Sequence, residues 1–226
     1  MANHSQQICY LCGNPIDPNA SQEELKLSMD HVPPKQFFPK QVRIDEHLNL
    51  ELAPSHKECN NAYKDDEDYF YHSLYTLVAN NNPEMAQTVF QDFVRRSSRP
   101  QTPEMIKKIF SSASRTTSGG IILPGNKVEV NVDLARIQRI AGKIARGVIF
   151  LATQEYCPES NIVDMRNCES ESEVPEMYQL SWKASTMETT YKRVFSSRCF
   201  PFEGHFIVSL MFWESFMFCV TVKGVN

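Results

Sequence analysis

The chain has 226 residues, of which 42% are hydrophobic and 22% are charged, as is ordinary for a globular protein of one large or two small domains. A net charge of −4 argues against a histone-like, nonspecific coat on nucleic acid, although phosphate binding depends on local charge. The longest apolar runs, such as residues 206–213, are too short for a membrane span, and the first residues lack a secretion-signal pattern, so a cytoplasmic protein without a membrane partner is expected. Seven cysteines, an odd number, favour thiols and metal ligation over a full disulfide framework.

The first third of the chain divides into a metal-stapled unit and the beginning of a helical segment. Residues 9–64 are rich in Cys, His, Pro and Asn and have few periodic apolar runs, which favours a small unit held by metal. Three helices are predicted next, on the basis of capping and first-turn residues: one opening at the acidic run 65–68, one at Pro83, and one from Thr102 to Phe110.

The second half of the chain predicts an α+β fold. Residues 111–120 are small and polar and suit a linker, and segments 121–123 and 127–132 predict a β-hairpin around Pro124-Gly-Asn126. The clearest helix runs over 134–153 and has one apolar face. Strands are predicted at 177–182, 205–212 and 216–222, with a tight turn at Glu214-Ser215.

The predicted architecture is therefore α+β, with a small zinc-stapled unit, a helical middle and a carboxy-terminal antiparallel sheet with a packed helix. The corresponding segments are residues 1–71, 72–115 and 116–226, the last of unknown role.

Two pairs of soft ligands with two-residue gaps predict a structural zinc site. Cys9 and Cys12 form one pair, and His56 and Cys59 form the other. His4 and His47 have less suitable spacing. The alternative is that these are free core cysteines and a chance histidine, but zinc would supply the folding energy that a segment with little aliphatic core lacks.

An Asp-His pair between the two ligand pairs indicates hydrolysis. Val32-Pro-Pro34 forces an extended backbone after His31, so Asp30 and His31 should point to opposite sides. We expect Asp30 to bind Mg²⁺ or Mn²⁺, with Asn60 supplying a second oxygen, and His31 to act as a general base. Asn49 would hydrogen-bond near His31 and orient it, and Asn61 leaves a one-residue ambiguity at the metal.

Two basic clusters could contact nucleic acid but are more typical of solvated helix faces. Their members are Arg95, Arg96 and Arg99 in one cluster, and Arg136, Arg139, Lys143 and Arg146 in the other.

The ordered motifs of residues 9–71 resemble the HNH endonucleases of the ββα-metal superfamily. The resemblance is carried by Cys-x-x-Cys, by Asp-His-Val-Pro-Pro-Lys at 30–35, by a closing ligand pair followed by Asn at 56–61, and by an acidic run ending in Tyr69-Phe70. It implies a zinc-stabilised hairpin and helix that cleaves nucleic acid with one divalent metal, with His31 as base, Asp30 and Asn60 as metal ligands and Asn49 supporting the histidine loop.

The sequence departs from the family pattern at two places. His56 stands where the family usually has a cysteine. The segment from Asn49 to the closing ligand pair is about two residues longer than is common in the family. Either Asn49 is not the supporting residue or the second strand carries a bulge.

Three functional hypotheses follow. The first is a metal-dependent endonuclease acting on DNA in preference to RNA. The second is a zinc-stabilised, non-catalytic module that binds nucleic acid or protein. The third is a toxin-like nuclease held inactive by an inhibitory or regulatory partner through the aromatic segment 206–218, although a sheet core explains those aromatic residues more simply. Separately, the second half of the chain could mediate self-association.

Overall fold

The computed structural model describes residues 7–100, 102–124, 128–168, 170–191 and 193–224, except for the side chains of residues 76, 77, 79–81 and 171. Within these residues the chain is an α+β protein with an antiparallel carboxy-terminal sheet of five strands. None of the helices in this described part of the chain is both long enough and apolar enough to cross a bilayer.

The amino-terminal unit is built on a two-stranded antiparallel hairpin. Strand β1 (Leu27–His31) pairs with β2 (Leu52–His56), and helix α2 (Lys57–Asn61) follows β2 directly, while α1 (Lys40–Asp45) lies in the connection. Because side chains alternate along a strand, Ser28 and Asp30 share the face of β1 opposite to that of His31.

The predicted helices of the middle and second half are confirmed. Their bounds are α3 (Lys64–Asn81), α4 (Pro83–Ser97), α5 (Thr102–Phe110) and α6 (Leu134–Thr153). Asn82 caps α4, since its Oδ1 accepts from the backbone N–H of Met85 at 3.1 Å, and Pro83 occupies the first turn as the sequence predicts.

Helix α6 is the central helix of the fold. Every residue from 140 to 150 is buried, so this part of the helix is covered by protein on all its faces. It packs against β2 and α3 on the side of the amino-terminal unit. The opposite side of α6 packs on the large sheet, so any polar residue on this helix must find a partner inside the protein.

The large sheet has the strand order β3-β7-β6-β5-β4, antiparallel throughout. Its strands are β3 (Ile162–Cys168), β4 (Met187–Tyr191), β5 (Phe195–Phe202), β6 (His205–Phe212) and β7 (Phe216–Lys223). The two strands predicted at 205–212 and 216–222 are confirmed, with positive φ at Trp213 and Glu214 in the turn between them. Strands β3, β4 and β5 were not predicted from the sequence.

Two sequence predictions differ from the structure. Residues 177–182, predicted as a strand, lie in helix α7 (Glu176–Ala184): Tyr178 and Ser181, three residues apart, are buried on one side, and Leu180 is 59% exposed. The described parts of the predicted hairpin, 121–124 and 128–132, form no strand and make only isolated bridges from Thr116 to Ile122 and from Ser114 to Glu129. Its turn at 125–127 lies outside the described residues.

One main hydrophobic core joins all three predicted segments. The ring of Phe37 stacks on that of Phe70 with 4.9 Å between centroids, and Phe70 meets Phe212 edge-on at 5.3 Å. Trp213 and Phe216, in the aromatic segment considered as a partner interface, are also buried in this core. The sheet-core explanation of these aromatic residues is the one that the structure supports.

Candidate metal centre and the adjoining Asp30 site

The four predicted zinc ligands converge. The ligand atoms of Cys9, Cys12, His56 and Cys59 all lie within 4.8 Å of one another. His56 Nδ1 is 3.4 Å from Cys12 Sγ and 3.9 Å from Cys59 Sγ, and bonds of about 2.0–2.3 Å to a tetrahedral zinc would set ligand atoms about 3.3–3.8 Å apart. Three sulfurs and one imidazole nitrogen at this spacing are a donor set that could hold a zinc-like ion.

The local backbone explains why the two pairs meet. Cys9 and Cys12 lie in a turn closed by a hydrogen bond of 2.8 Å from Gly13 N to Cys9 O, with Gly13 at φ +78°, a conformation that glycine adopts without strain. His56 ends β2 and Cys59 lies in α2, so the strand-to-helix junction supplies the second pair.

The orientation of the His56 ring suits metal binding through Nδ1. Its Nε2 lies 3.3 Å from the carbonyl oxygen of Pro15, and a proton donated there leaves the lone pair of Nδ1 directed at the thiols. His47 is exposed and takes no part in the cluster, and His4 lies outside the described residues.

The electrostatics of the cluster keep Cys12 and Cys59 protonated unless a cation is bound. Burial, and then the charges of Cys9 and Cys12, raise the pKa of Cys59 to about 12, and burial also raises the pKa of Cys12. Three thiolates cannot share this space without a compensating positive charge, which a bound metal ion supplies.

Asp30 lies beside this cluster in a second buried polar site. Its carboxylate faces α2 and is 5% exposed. Its Oδ2 accepts a hydrogen bond of 2.5 Å from the Tyr10 hydroxyl and lies 2.7 Å from Lys143 Nζ. Lys143 Nζ also lies 2.6 Å from Glu67 Oε1. One ammonium therefore bridges two carboxylates.

Asn60 lies next to Asp30, but in a different role from the oxygen ligand that the sequence predicts. The amide atom that faces Asp30 lies 3.1 and 3.2 Å from its two carboxylate oxygens and 3.4 Å from Lys143 Nζ. The amide is best satisfied with its NH₂ group donating to Asp30 and its oxygen accepting from Ser28 Oγ at 3.2 Å. In this orientation Asn60 is a donor to Asp30. Asn61 is exposed, so Asn60 is the asparagine that meets Asp30.

Lys143 reaches this site because α6 packs closely on the hairpin. At Gly147, one turn further along α6, a Cβ would lie 2.8 Å from Val32 Cγ2, so only glycine permits this approach without a shift. The Lys143 side chain is 1% exposed, and the ring centroid of Tyr63 lies 5.1 Å from its Nζ. Burial would lower the pKa of Lys143, but Asp30 and Glu67 outweigh it and raise the pKa, which keeps the ammonium charged.

The basic clusters are solvated only in part, which corrects the sequence expectation: Arg95 is exposed, but the other members are partly or fully buried. Arg146 is 2% exposed and donates to the carbonyls of Leu11 and Cys157, which ties α6 to the first ligand turn. Arg136 and Arg139 both pair with Asp66 of the acidic run. In the other cluster Arg96 is buried, with its Nε 2.6 Å from Asp92 Oδ2. These side chains are used to assemble the fold.

His31 lies on the other face of β1 and is partly exposed. Burial, then the charges of Lys35 and Arg43, lower its pKa, against the opposite effect of Asp30. The imidazole is therefore neutral near pH 7. Asn49 is exposed and gives no hydrogen bond to His31 among the described residues. The register of β1 and β2 is continuous from Leu27–His31 to Leu52–His56, so of the two alternatives the bulge within β2 is not the one observed.

The Asp30 site does not fit a divalent cation in this arrangement. Any ion bound to Asp30 Oδ2 on the side facing Glu67 would overlap the Lys143 ammonium, which is already 2.7 Å and 2.6 Å from the two carboxylates. The soft-ligand cluster fits zinc, whereas the predicted Mg²⁺ or Mn²⁺ position is filled by a side chain.

Sequence reasoning missed Tyr10 and Glu67, and it placed Lys143 in a basic helix face and not beside Asp30. Glu67 is within the acidic run that was interpreted only as a helix start. Lys143 lies three residues after Ile140 and four before Gly147, at the edge of the apolar face of α6. A lysine at the edge of an apolar helix face indicates a buried ion pair, because lysine is almost never fully buried without a partner.

Comparisons of the chain with protein-family models, with curated proteins and with solved structures give no match. The resemblance to HNH endonucleases accordingly stays a prediction that depends on the motifs and on the site geometry described above.

Proposed function

We propose that this chain hydrolyses phosphodiester bonds in nucleic acid, DNA in preference to RNA, on an HNH-type unit stapled by zinc. The observation that carries the proposal is the contact of Asp30 with Asn60 beside the four-ligand cluster, with the partly exposed His31 next to Asp30 on β1. These are the residue types and the chain order that such a nuclease uses.

His31 is assigned the role of general base. A base must be neutral at the working pH, and the burial of His31 together with the charges of Lys35 and Arg43 lowers its pKa. The same two cations would attract a phosphate group towards the imidazole. His31 would then take a proton from the attacking water.

The zinc ligands hold the hairpin and α2 together and take no chemical role in this proposal. Asp30 and Asn60 are the proposed ligands of Mg²⁺ or Mn²⁺, an ion that in nucleases stabilises charge on the phosphate. While Lys143 Nζ lies between Asp30 and Glu67 there is no room for that ion. Metal binding at Asp30 therefore requires the Lys143 side chain to move out.

The test is cleavage by the zinc-loaded protein of plasmid, single-stranded DNA and RNA with Mg²⁺ or Mn²⁺, beside His31→Ala. Cleavage that His31→Ala reduces by about a hundredfold or more would support the proposal. A matched control is His205→Ala, at the start of β6, which should cleave like the original protein. Equal cleavage by the original protein and by His31→Ala would contradict the role of His31.

A second candidate function is a zinc-stabilised binding module without catalysis. The observation that favours it is the Lys143 ammonium on Asp30, because a protein that never binds a divalent ion there loses nothing by this ion pair. This candidate expects folding that is sensitive to chelators and no hydrolysis of any of the three substrates with any divalent metal.

A further inference from the structure

The Asp30 site brings two carboxylates together as a divalent-cation site does, but its centre holds a lysine ammonium and its bordering amide presents an NH₂ group. Carboxylate oxygens of Asp30 and Glu67 converge on one point from β1 and α3, and the Asn60 amide borders it from α2. Carboxylate oxygens are ligands that Mg²⁺ and Mn²⁺ prefer, and the Asn60 amide would add a third oxygen only after a flip. At that point lies Lys143 Nζ.

The charge of the site also suits a divalent cation. Two carboxylates face one ammonium. Burial raises the pKa of Glu67, but when both carboxylates are ionised the group carries an excess of negative charge that a divalent ion would neutralise better than a lysine does. Tyr10 donates to Asp30 and cannot neutralise it. Asp30, Glu67 and Lys143 are all at most 9% exposed, which leaves the partly exposed Asn60 as the side from which an ion could enter.

We propose that Lys143 is a built-in cation that occupies the divalent-metal position between Asp30, Glu67 and Asn60 and thereby closes this position to metal ions. Its consequence for catalysis depends on the proposed function, but the binding claim does not. A metal ion can enter only when the Lys143 side chain leaves, and because Lys143 is anchored on α6, entry is coupled to a movement of that helix or of the lysine. An amide flip at Asn60 would then turn its oxygen to the ion.

The test is a titration of the zinc-loaded full chain with Mn²⁺, in which free Mn²⁺ is measured by its paramagnetic resonance signal. The original protein should bind Mn²⁺ at this site weakly, and Lys143→Ala should bind one Mn²⁺ at least about tenfold more tightly, which corresponds to about 1.4 kcal/mol. Lys143→Ala combined with Asp30→Asn, or with Glu67→Gln, should lose that gain. Lys108→Ala removes an exposed positive charge from α5 and serves as the matched control, with unchanged Mn²⁺ affinity.

Two results would overturn the inference. One is a Lys143→Ala protein, folded by circular dichroism, whose affinity for Mn²⁺ equals that of the original protein. The other is a tight Mn²⁺ site in the original protein that Asp30→Asn abolishes, and this second measurement needs no Lys143 variant. If Lys143→Ala does not fold, Lys143→Ser, which keeps a polar group and leaves room for a hydrated ion, replaces it.

Failure of the inference and failure of the proposed function are distinguishable. Lys143→Ala that gains Mn²⁺ but cuts no nucleic acid supports the built-in cation and counts against hydrolysis. Cleavage by the original protein that depends on Mn²⁺ bound tightly at Asp30 supports hydrolysis and contradicts the built-in cation, whereas cleavage that needs a high Mn²⁺ concentration agrees with both.

Discussion

The zinc-ligand cluster and the Asp30 site lie side by side in the same hairpin, yet they solve the problem of buried negative charge in opposite ways. At the cluster, soft donors converge that carry no permanent positive charge of their own: Cys9, Cys12, Cys59 and His56. At the Asp30 site, Lys143 supplies the cation from within the chain. The first arrangement could hold an external ion, and in the second a lysine already lies at the point of convergence.

This difference teaches that a set of ligand residues is not by itself a metal site. Both sets have the residue types and the convergence that metal binding requires. What separates them is whether another element of the fold places a positive charge at the point of convergence. Helix α6 does so at Asp30 because Gly147 lets it pack on the residue after His31.

The largest expected effect is at the zinc-ligand cluster. Cys12→Ala or Cys59→Ala should remove a zinc ligand and unfold the hairpin unit, because structural zinc contributes about 10–16 kcal/mol of binding energy in small zinc-finger peptides. Unfolding by denaturant, with and without chelator, measures this loss of stability. Cys199→Ala, a buried thiol of the sheet, is the matched control and should keep its zinc. If the stability of the original protein does not change when a chelator is added, the claim that a metal ion stabilises this cluster is wrong.

The next effect is at the Asp30 site. Lys143→Ala should lower the free energy of unfolding by about 3–5 kcal/mol in the absence of divalent ions, since it leaves buried carboxylates uncompensated. Removing the partner charge as well, in Asp30→Asn with Lys143→Ala, should return part of this loss in a double-mutant cycle. Strictly additive losses in the cycle would mean that the two side chains do not stabilise each other.

A smaller effect should follow from separating α6 from the hairpin. Gly147→Ala forces a Cβ against Val32 and should cost about 1–3 kcal/mol through overpacking. Gly119→Ala, where the added Cβ meets its nearest atom at 3.8 Å, is the control, and it should change stability by less than about 0.5 kcal/mol. An equal effect of the two substitutions would remove the argument that Gly147 sets the position of Lys143.

The fold could be predicted from the sequence where one pattern dominates. Helices α4 and α6 begin at the side-chain caps Asn82 and Asp133, and α3 opens with an acidic first turn. The strands at 205–212 and 216–223 are long apolar runs. Strands β4 and β5 contain polar, half-exposed residues such as Thr189, Ser196 and Arg198 and gave no such signal. In α7 the apolar residues Met177, Leu180 and Trp182 do not mark the buried side, so the periodicity was misinterpreted.

The candidate site was predictable only within the local motifs. Spacing identified Cys9, Cys12, His56 and Cys59, and the Asp-His pair and the asparagine after the last ligand identified Asp30 and Asn60. Glu67 and Lys143 come from other elements, and Lys143 is 83 residues from Asn60 in sequence. Their partnership depends on tertiary packing, which no local pattern encodes.

The smallest expected effect concerns His31. Its pKa is lowered partly by Lys35, so removal of that charge in Lys35→Gln should make protonation easier and raise the pKa. The ring is neutral above its pKa, so any activity that uses it as a base should fall as pH drops through a midpoint below 6.5, and that midpoint should move upward in Lys35→Gln. Titration of the His31 ring signal by NMR measures the shift, with Lys108→Gln as control. A midpoint that does not move would exclude an electrostatic effect of Lys35 on His31.

The central claim is that neighbouring sites are completed in different ways, one by zinc and one by lysine. The most direct measurement is a crystal structure of the original protein grown with both Zn²⁺ and Mn²⁺, with anomalous differences collected at the two metal edges. We predict a zinc peak among Cys9, Cys12, His56 and Cys59, and Lys143 Nζ without manganese between Asp30 and Glu67. A manganese peak on Asp30, or no zinc peak at the four ligands, would contradict the account.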